Sequence, residues 1–161
     1  MPMITPNLWF DTEGEDAARH YASIFPNSSI DNITHYGEGG PREPGSVLTV
    51  EFTLDGQPFT AINGGPEFTF DEAVSFLIPC EDQDEVDHYW YKLLYGGQES
   101  QCGWLKDRYG LSWQVVPRIL DAMMADPDRE KAERAMEAML GMVKLDIAEL
   151  QRAFNGADSP V

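Results

Sequence analysis

One helical stripe occurs twice at a constant spacing, and this repetition restricts the possible folds more than any other feature. Ala17, Tyr21 and Ile24 are followed by Val86, Trp90 and Leu93, each 69 residues further on. Residues three and four apart share a helix face, so each triplet marks an equivalent buried stripe. Strand patterns surround both stripes. Residues 3–10 read as a strand with Ile4, Leu8 and Phe10 on one face and Asn7 and Trp9 on the other. Residues 29–36, 47–54 and 58–63 read as three more. In the middle one, Leu48, Val50, Phe52 and Leu54 alternate with Thr49, Glu51 and Thr53, the period of a half-buried strand. Asp55-Gly56 then signals a two-residue hairpin.

After Gly64-Gly65-Pro66 the order restarts. Residues 73–79 read as a strand, the second stripe follows, and 102–104 and 111–116 read as strands. Thr12 with Glu15, and Asp82 with Glu85, have capping-box spacing, in which each side chain satisfies a free amide at a helix start. These pairs miss the repeat by about one residue, and the closing strands align at a shorter offset, so the duplication is inexact.

Beyond residue 118 the pattern is purely helical. Asp126-Pro127 reads as a capping acid before a first-turn proline, and Ala132, Ala135, Met136, Met139 and Leu140 form one stripe. Asp146 reads as the cap of a last helix with Ile147, Leu150 and Phe154 inside. The methionine-rich stripe is expected to pack on the sheet or on a partner subunit. The expected class is α+β. Two tandem βαβββ modules, 1–66 and 67–118, make one domain over 1–118, and 119–161 is its helical extension.

The chain carries 28 acidic against 11 basic residues, a formal charge of −17. Such a field repels phosphate backbones and anionic lipid surfaces, so neither nucleic acid nor membrane is an expected partner. The start of the chain lacks the basic and apolar segments of a signal peptide, and Cys80 and Cys102 do not make a disulfide framework. A cytoplasmic location with free thiols is expected.

Chemistry-bearing residues concentrate on the hairpin around Asp107-Arg108-Tyr109-Gly110. Trp104, Ser112 and Gln114 sit there, and with Asn7, Trp9 and Asn63 they are the expected lining of a cup for a small, partly apolar ligand. Leu111, Trp113 and Val115 share the other face and are expected to pack beneath the helices, while Asp107 is expected to bond local turn amides. No catalytic residue is assigned; Cys102 and Glu51 are the candidates. Cys102 needs a nearby cation to become a thiolate, and Glu51 alone can serve at most as a base or hydrogen-bond acceptor.

These residues also carry a resemblance. Ile62-Asn63-Gly64-Gly65-Pro66, Cys80-Glu81-Asp82-Gln83, Cys102-Gly103-Trp104-Leu105-Lys106-Asp107 with Gly110 and Ser112-Trp113-Gln114, and Lys144-Leu145-Asp146-Ile147-Ala148 resemble the PhnB-like branch of the vicinal oxygen chelate superfamily. That superfamily includes glyoxalase I, extradiol dioxygenases and the bleomycin and fosfomycin resistance proteins, and the branch is often labelled demethylubiquinone methyltransferase-like. The resemblance runs over nearly the whole chain. It implies a curved open-barrel sheet with helices outside and a cup inside, and a homodimer.

Metal-dependent members carry His or Glu ligands on the first and last strands of each module. Here those places offer Gln114 and Thr60 on the last strands, Ala73 and Ser75 on the fifth, and Pro6 and Asn7 on the first. A neutral amide poorly replaces a carboxylate at a divalent site. His20 and His88 fall on the helices and His35 near a strand end, off the expected cup face. The expectation is a protein that binds a small organic ligand, with no resident metal and no cofactor. The alternatives are a metal-dependent glyoxalase- or dioxygenase-like enzyme with atypical ligands and, last, the methyltransferase of the label. Against that last reading, no glycine-rich turn joins a strand to a helix in a parallel doubly wound pattern.

Overall fold

The computed structural model describes residues 3–156. Met1 and Pro2, and residues 157–161 of the expected helical extension, lie outside the described residues. The chain divides into two compact units, Met1–Phe70 and Asp71–Val161.

The first unit contains β1 (Asn7–Phe10), α1 (Gly14–Ile24), β2 (Ser29–His35), β3 (Val47–Leu54) and β4 (Gln57–Asn63). Its sheet has the order β1-β4-β3-β2, with β1 parallel to β4 and the other pairs antiparallel. Asp55 and Gly56 both adopt positive φ, as a two-residue hairpin demands, and Leu54 pairs with Gln57. The second unit begins with β5 (Ser75–Cys80), α2 (Gln83–Leu94), β6 (Gln98–Glu99), β7 (Trp104–Lys106) and β8 (Ser112–Pro117). Its sheet order is β5-β8-β7-β6, with β5 parallel to β8. The two βαβββ modules therefore have one topology, and the class is α+β.

The repeated stripe carries both cores. Ala17, Tyr21, Ile24, Val86, Trp90 and Leu93 are all buried. Tyr21 stacks on Phe52 at 6.5 Å, and Phe52 on Phe59 at 5.4 Å. Each of the larger side chains contributes about 1.5–3 kcal/mol through burial, which is why the stripe outweighs local propensity in setting the fold.

Four strands start later than the alternation predicts; β7 opens at Trp104, because Cys102 and Gly103 turn at positive φ, and β8 opens at Ser112. β1 opens at Asn7, because Pro6 has no amide to continue the ladder and contributes only its carbonyl, which accepts from Thr60 at 3.0 Å. β5 opens at Ser75, because the Ala73 amide turns back to the Asp71 carboxylate at 2.9 Å.

The helix starts divide as well. Asp82 caps α2 by accepting from the Glu85 amide at 2.9 Å, and Glu85 accepts from the Glu81 amide at 3.0 Å. In α1 the expected Thr12–Glu15 box does not form. Instead the Asn63 side chain, from the end of β4, accepts from the Gly14 amide at 2.8 Å.

The remaining helices are α3 (Arg118–Met124), α4 (Arg129–Leu140) and α5 (Ile147–Asn155). The seven-residue α3 follows directly on β8 and opens the helical region expected beyond residue 118, though it is too short to show a full stripe. The cap of α4 is Asp128, while Asp126 bonds the Asp128 amide at 2.8 Å, so the expected cap lies two residues early. Leu120, Met123, Ala135, Leu145 and Leu150 form the core of this region, with Met139 and Phe154 packed at its edge. The α4 stripe is only half covered: Ala132 and Ala135 are buried, whereas Met136 and Leu140 are exposed. Arg134 donates to the carbonyls of Ala153 and Phe154 and so closes the end of α5.

Candidate functional site

Strand alternation decides which side chains are free for chemistry. In each sheet one set of residues packs against the helix, and the opposite set lies on the far face. In the first sheet the register aligns Asn7, Thr60, Glu51 and Asn32 across that far face, with Trp9, Ile62, Thr49 and Thr34 in the next row. In the second sheet Leu77, Gln114 and Trp104 form one row, and Ser75, Ser112, Lys106 and Gln98 the other. Gln114 thus lies beside Leu77 rather than beside the expected residues of β5, although its amide does reach Ser75 Oγ at 2.9 Å.

Two of the expected lining residues are committed to structure. Trp9 donates from Nε1 to the Gly65 carbonyl at 2.9 Å and meets Phe68 edge-on at 5.0 Å. A Cβ on Gly64 would come within 2.3 Å of the indole, so only glycine lets the loop lie against it. Asn63 is 6% exposed and bonds both the Gly14 amide and the Val47 carbonyl. It does border a cleft of about 320 Å³ beside α1, but the neighbours there include Glu15, Asp16 and Glu43.

The hairpin is equally structural at its tip. Asp107 is 3% exposed and accepts from the amides of Tyr109 at 2.8 Å and Leu111 at 3.0 Å, and from Trp113 Nε1 at 2.9 Å. The family-like segments Cys80–Gln83 and 144–148 meet in space. The Gln83 side chain accepts from the Ile147 amide and donates to the Leu145 carbonyl, while Lys144 reaches Asp87 and Tyr91. That contact holds Asp87 below the ordinary carboxylate range, chiefly through the hydrogen bond from Lys144.

The two thiols differ. Burial, helped by the Glu85 charge, pushes the Cys80 thiol up to about 12, which makes it inert. Cys102 sits at φ 58 on a bend tied through its amide to the Met142 carbonyl at 2.9 Å, and its Sγ is 3.9 Å from the Leu140 carbonyl. The cations near it in sequence are turned elsewhere, Lys106 to Glu72 and Arg108 to Tyr109. Glu51 is exposed on the far face of the first sheet.

Asn7 stays on the first sheet, where it donates to the Thr5 carbonyl at 2.9 Å, while the three expected residues of the second sheet lie near one another. Trp104 and Ser112 border a cleft of about 120 Å³ with Lys106, Glu72 and Gln98, next to Gln114 in the register. Ser112 is 1% exposed, and its hydroxyl has no partner among the described residues. Lys106 and Glu72 were not foreseen as lining. The period of two does place Lys106 on the face of Trp104, but Glu72 lies outside any strand and reaches the cleft only through folding.

The donor set does not fit a catalytic divalent ion. The Leu77–Gln114–Trp104 row has no anionic ligand, and the Asn7–Thr60–Glu51–Asn32 row has a single carboxylate. Among the described residues no group of three or more His, Cys, Asp or Glu side chains is placed to share a metal. At the strand-to-helix turn of the first unit, Asn63 already occupies the Gly14 amide and Glu15 and Asp16 lie in the first helical turn, so that helix start does not suit an anionic cofactor group.

The family model for 3-demethylubiquinone-9 3-methyltransferase matches residues 2–116. The PhnB protein from Bacillus cereus is 36% identical, with a TM-score of 0.66, and the match covers 72% of this chain and 99% of that one. A Pseudomonas aeruginosa protein matches at 16% identity and TM-score 0.61, covering 73% and 98%. The fosfomycin resistance protein FosX from Mesorhizobium loti matches at 11% identity and TM-score 0.51, covering 71% and 90%. The last two share the fold alone. No curated protein matches.

Proposed function

From the premise that this chain belongs to the PhnB-like, 3-demethylubiquinone-9 3-methyltransferase family of the vicinal oxygen chelate superfamily, we propose that it binds a small organic ligand without a resident catalytic metal. The observation that carries this reading is the far face of the second sheet. There an indole and a buried hydroxyl border one cleft, the Gln114 amide and the exposed Leu77 continue the row of the indole, and no metal-ligating cluster occurs among the described residues. The protein works as a cytoplasmic homodimer in this reading. Among the described residues no helix is long and apolar enough to cross a membrane.

The test is native mass spectrometry of protein purified without chelator or added metal. A metal-free dimer carrying an organic mass, lost in Gln114→Ala with the thermal midpoint unchanged, is the expected result. A stoichiometric divalent ion overturns it in favour of metal-assisted chemistry. The family description favours methyl transfer as a second reading. Micromolar binding of S-adenosylmethionine in calorimetry would establish that reading, and its absence leaves the ligand-binding one.

A further inference from the structure

Lys106 is the cation bordering the cleft of the second sheet, and its ammonium pairs with Glu72. That carboxylate is mostly solvent-exposed, its side chain 61% accessible, so the pair is of the weak surface kind that another anion can exchange. Ser112 lies directly across from Lys106 in the β7–β8 register, buried and with no partner for its hydroxyl among the described residues. A buried hydroxyl without a partner is unfavourable, and an incoming oxygen would relieve it. Trp104, on the same face, supplies a flat apolar wall. A cleft of about 120 Å³ takes a head group or a single ring, well short of the several hundred needed by a drug-sized molecule.

We infer that Lys106, Ser112 and Trp104 form a subsite for the carboxylate end of a small acid, and that Glu72 holds this position until the ligand displaces it. The charges favour exchange over addition. Glu99 at the rim and the net charge of −17 oppose any extra anion. One carboxylate leaving as another arrives keeps the charge around Lys106 constant. A dianion such as inorganic phosphate adds charge and is disfavoured. The inference rests on the ligand-binding reading of the second sheet and specifies what that sheet recognises.

Isothermal titration of the full chain with benzoate and its neutral isostere benzamide tests it, alongside Lys106→Met, Glu72→Gln and Ser112→Ala. Benzoate should bind at least roughly ten-fold more tightly than benzamide, and Lys106→Met should erase that preference. Glu72→Gln, an exposed change that leaves the fold intact, should strengthen benzoate about five-fold and leave benzamide unaltered. Ser112→Ala should weaken benzoate. Equal binding of the two probes, or no gain in Glu72→Gln, overturns the carboxylate subsite while leaving ligand binding standing. No binding of either probe to a protein that still carries an organic mass also defeats the subsite alone. No binding and no carried mass defeats both.

Discussion

The two sheets share an order of strands and a helix stripe, yet they use their far faces differently. In the first, Trp9 clamps the Gly64-Gly65 loop, and Thr49 and Thr34 bond each other at 2.5 Å. In the second, Ser112 is left unpaired, Lys106 is held by an exchangeable partner, and Leu77 is 52% exposed. A duplicated scaffold therefore does not imply a duplicated site. The repeat extends to what buries the core, and the proposed ligand site lies on one copy.

Breaking the hairpin tips should show the largest contrast. Asp107→Ala removes three acceptor contacts from a buried turn and should cost about 3–5 kcal/mol in urea unfolding. Asp55→Ala, at an exposed hairpin position with φ 46, should cost only about 1 kcal/mol. Equal losses would mean the second hairpin does not depend on its buried carboxylate.

Trp9→Ala should cost about 2–3 kcal/mol by the same assay, since it empties a clamp. Gln114→Ala should stay within about 0.5 kcal/mol while abolishing ligand retention. A stable Trp9→Ala protein that lost its ligand would instead put the site on the first sheet.

The helix starts give a smaller difference. Asn63→Ala breaks bonds to both α1 and the β3 backbone and should cost about 2 kcal/mol, against about 1 kcal/mol for Asp82→Ala at α2. Reversal of that order, measured by thermal unfolding, would show that the local cap is the stronger one.

The smallest effect is the clasp between Lys144 and Asp87. Asp87 is about two-fifths exposed, so screening limits its contribution to about 0.5–1 kcal/mol. Its folded pKa is lowered, so the stabilisation is present above the ordinary carboxylate value near 4 and disappears as pH falls through the lower folded value. Lys144 is raised, so the same contact persists until pH climbs past the ordinary lysine value near 10.4. Asp87→Asn should therefore be destabilised at pH 7 and match the parent near pH 2, as read from unfolding midpoints; a constant gap would locate the effect elsewhere.

Legibility followed the range of each interaction. Strand alternation located Glu51, Trp104, Gln114 and the packing of Trp113, because period two needs only neighbours along the chain. It failed to show that Trp9 and Asn63 are structural, since their partners Gly65, Phe68 and Gly14 come from other turns. The α1 cap shows the same limit: Thr12 and Glu15 have the right spacing, but Asn63, 49 residues from Gly14, takes the amide.

By itself the sequence determined the two βαβββ modules, their buried stripes and the hairpin turns, because apolar period and turn chemistry act over a few residues. It also carried the family, since the matched segments are contiguous. Only the tertiary structure decided that Gln83 fastens the Leu145–Ile147 segment, that Leu77 is the register partner of Gln114 while Ser75 accepts from its amide, and that Glu72 lies on Lys106. Those pairings depend on register and loop closure, which no single segment specifies.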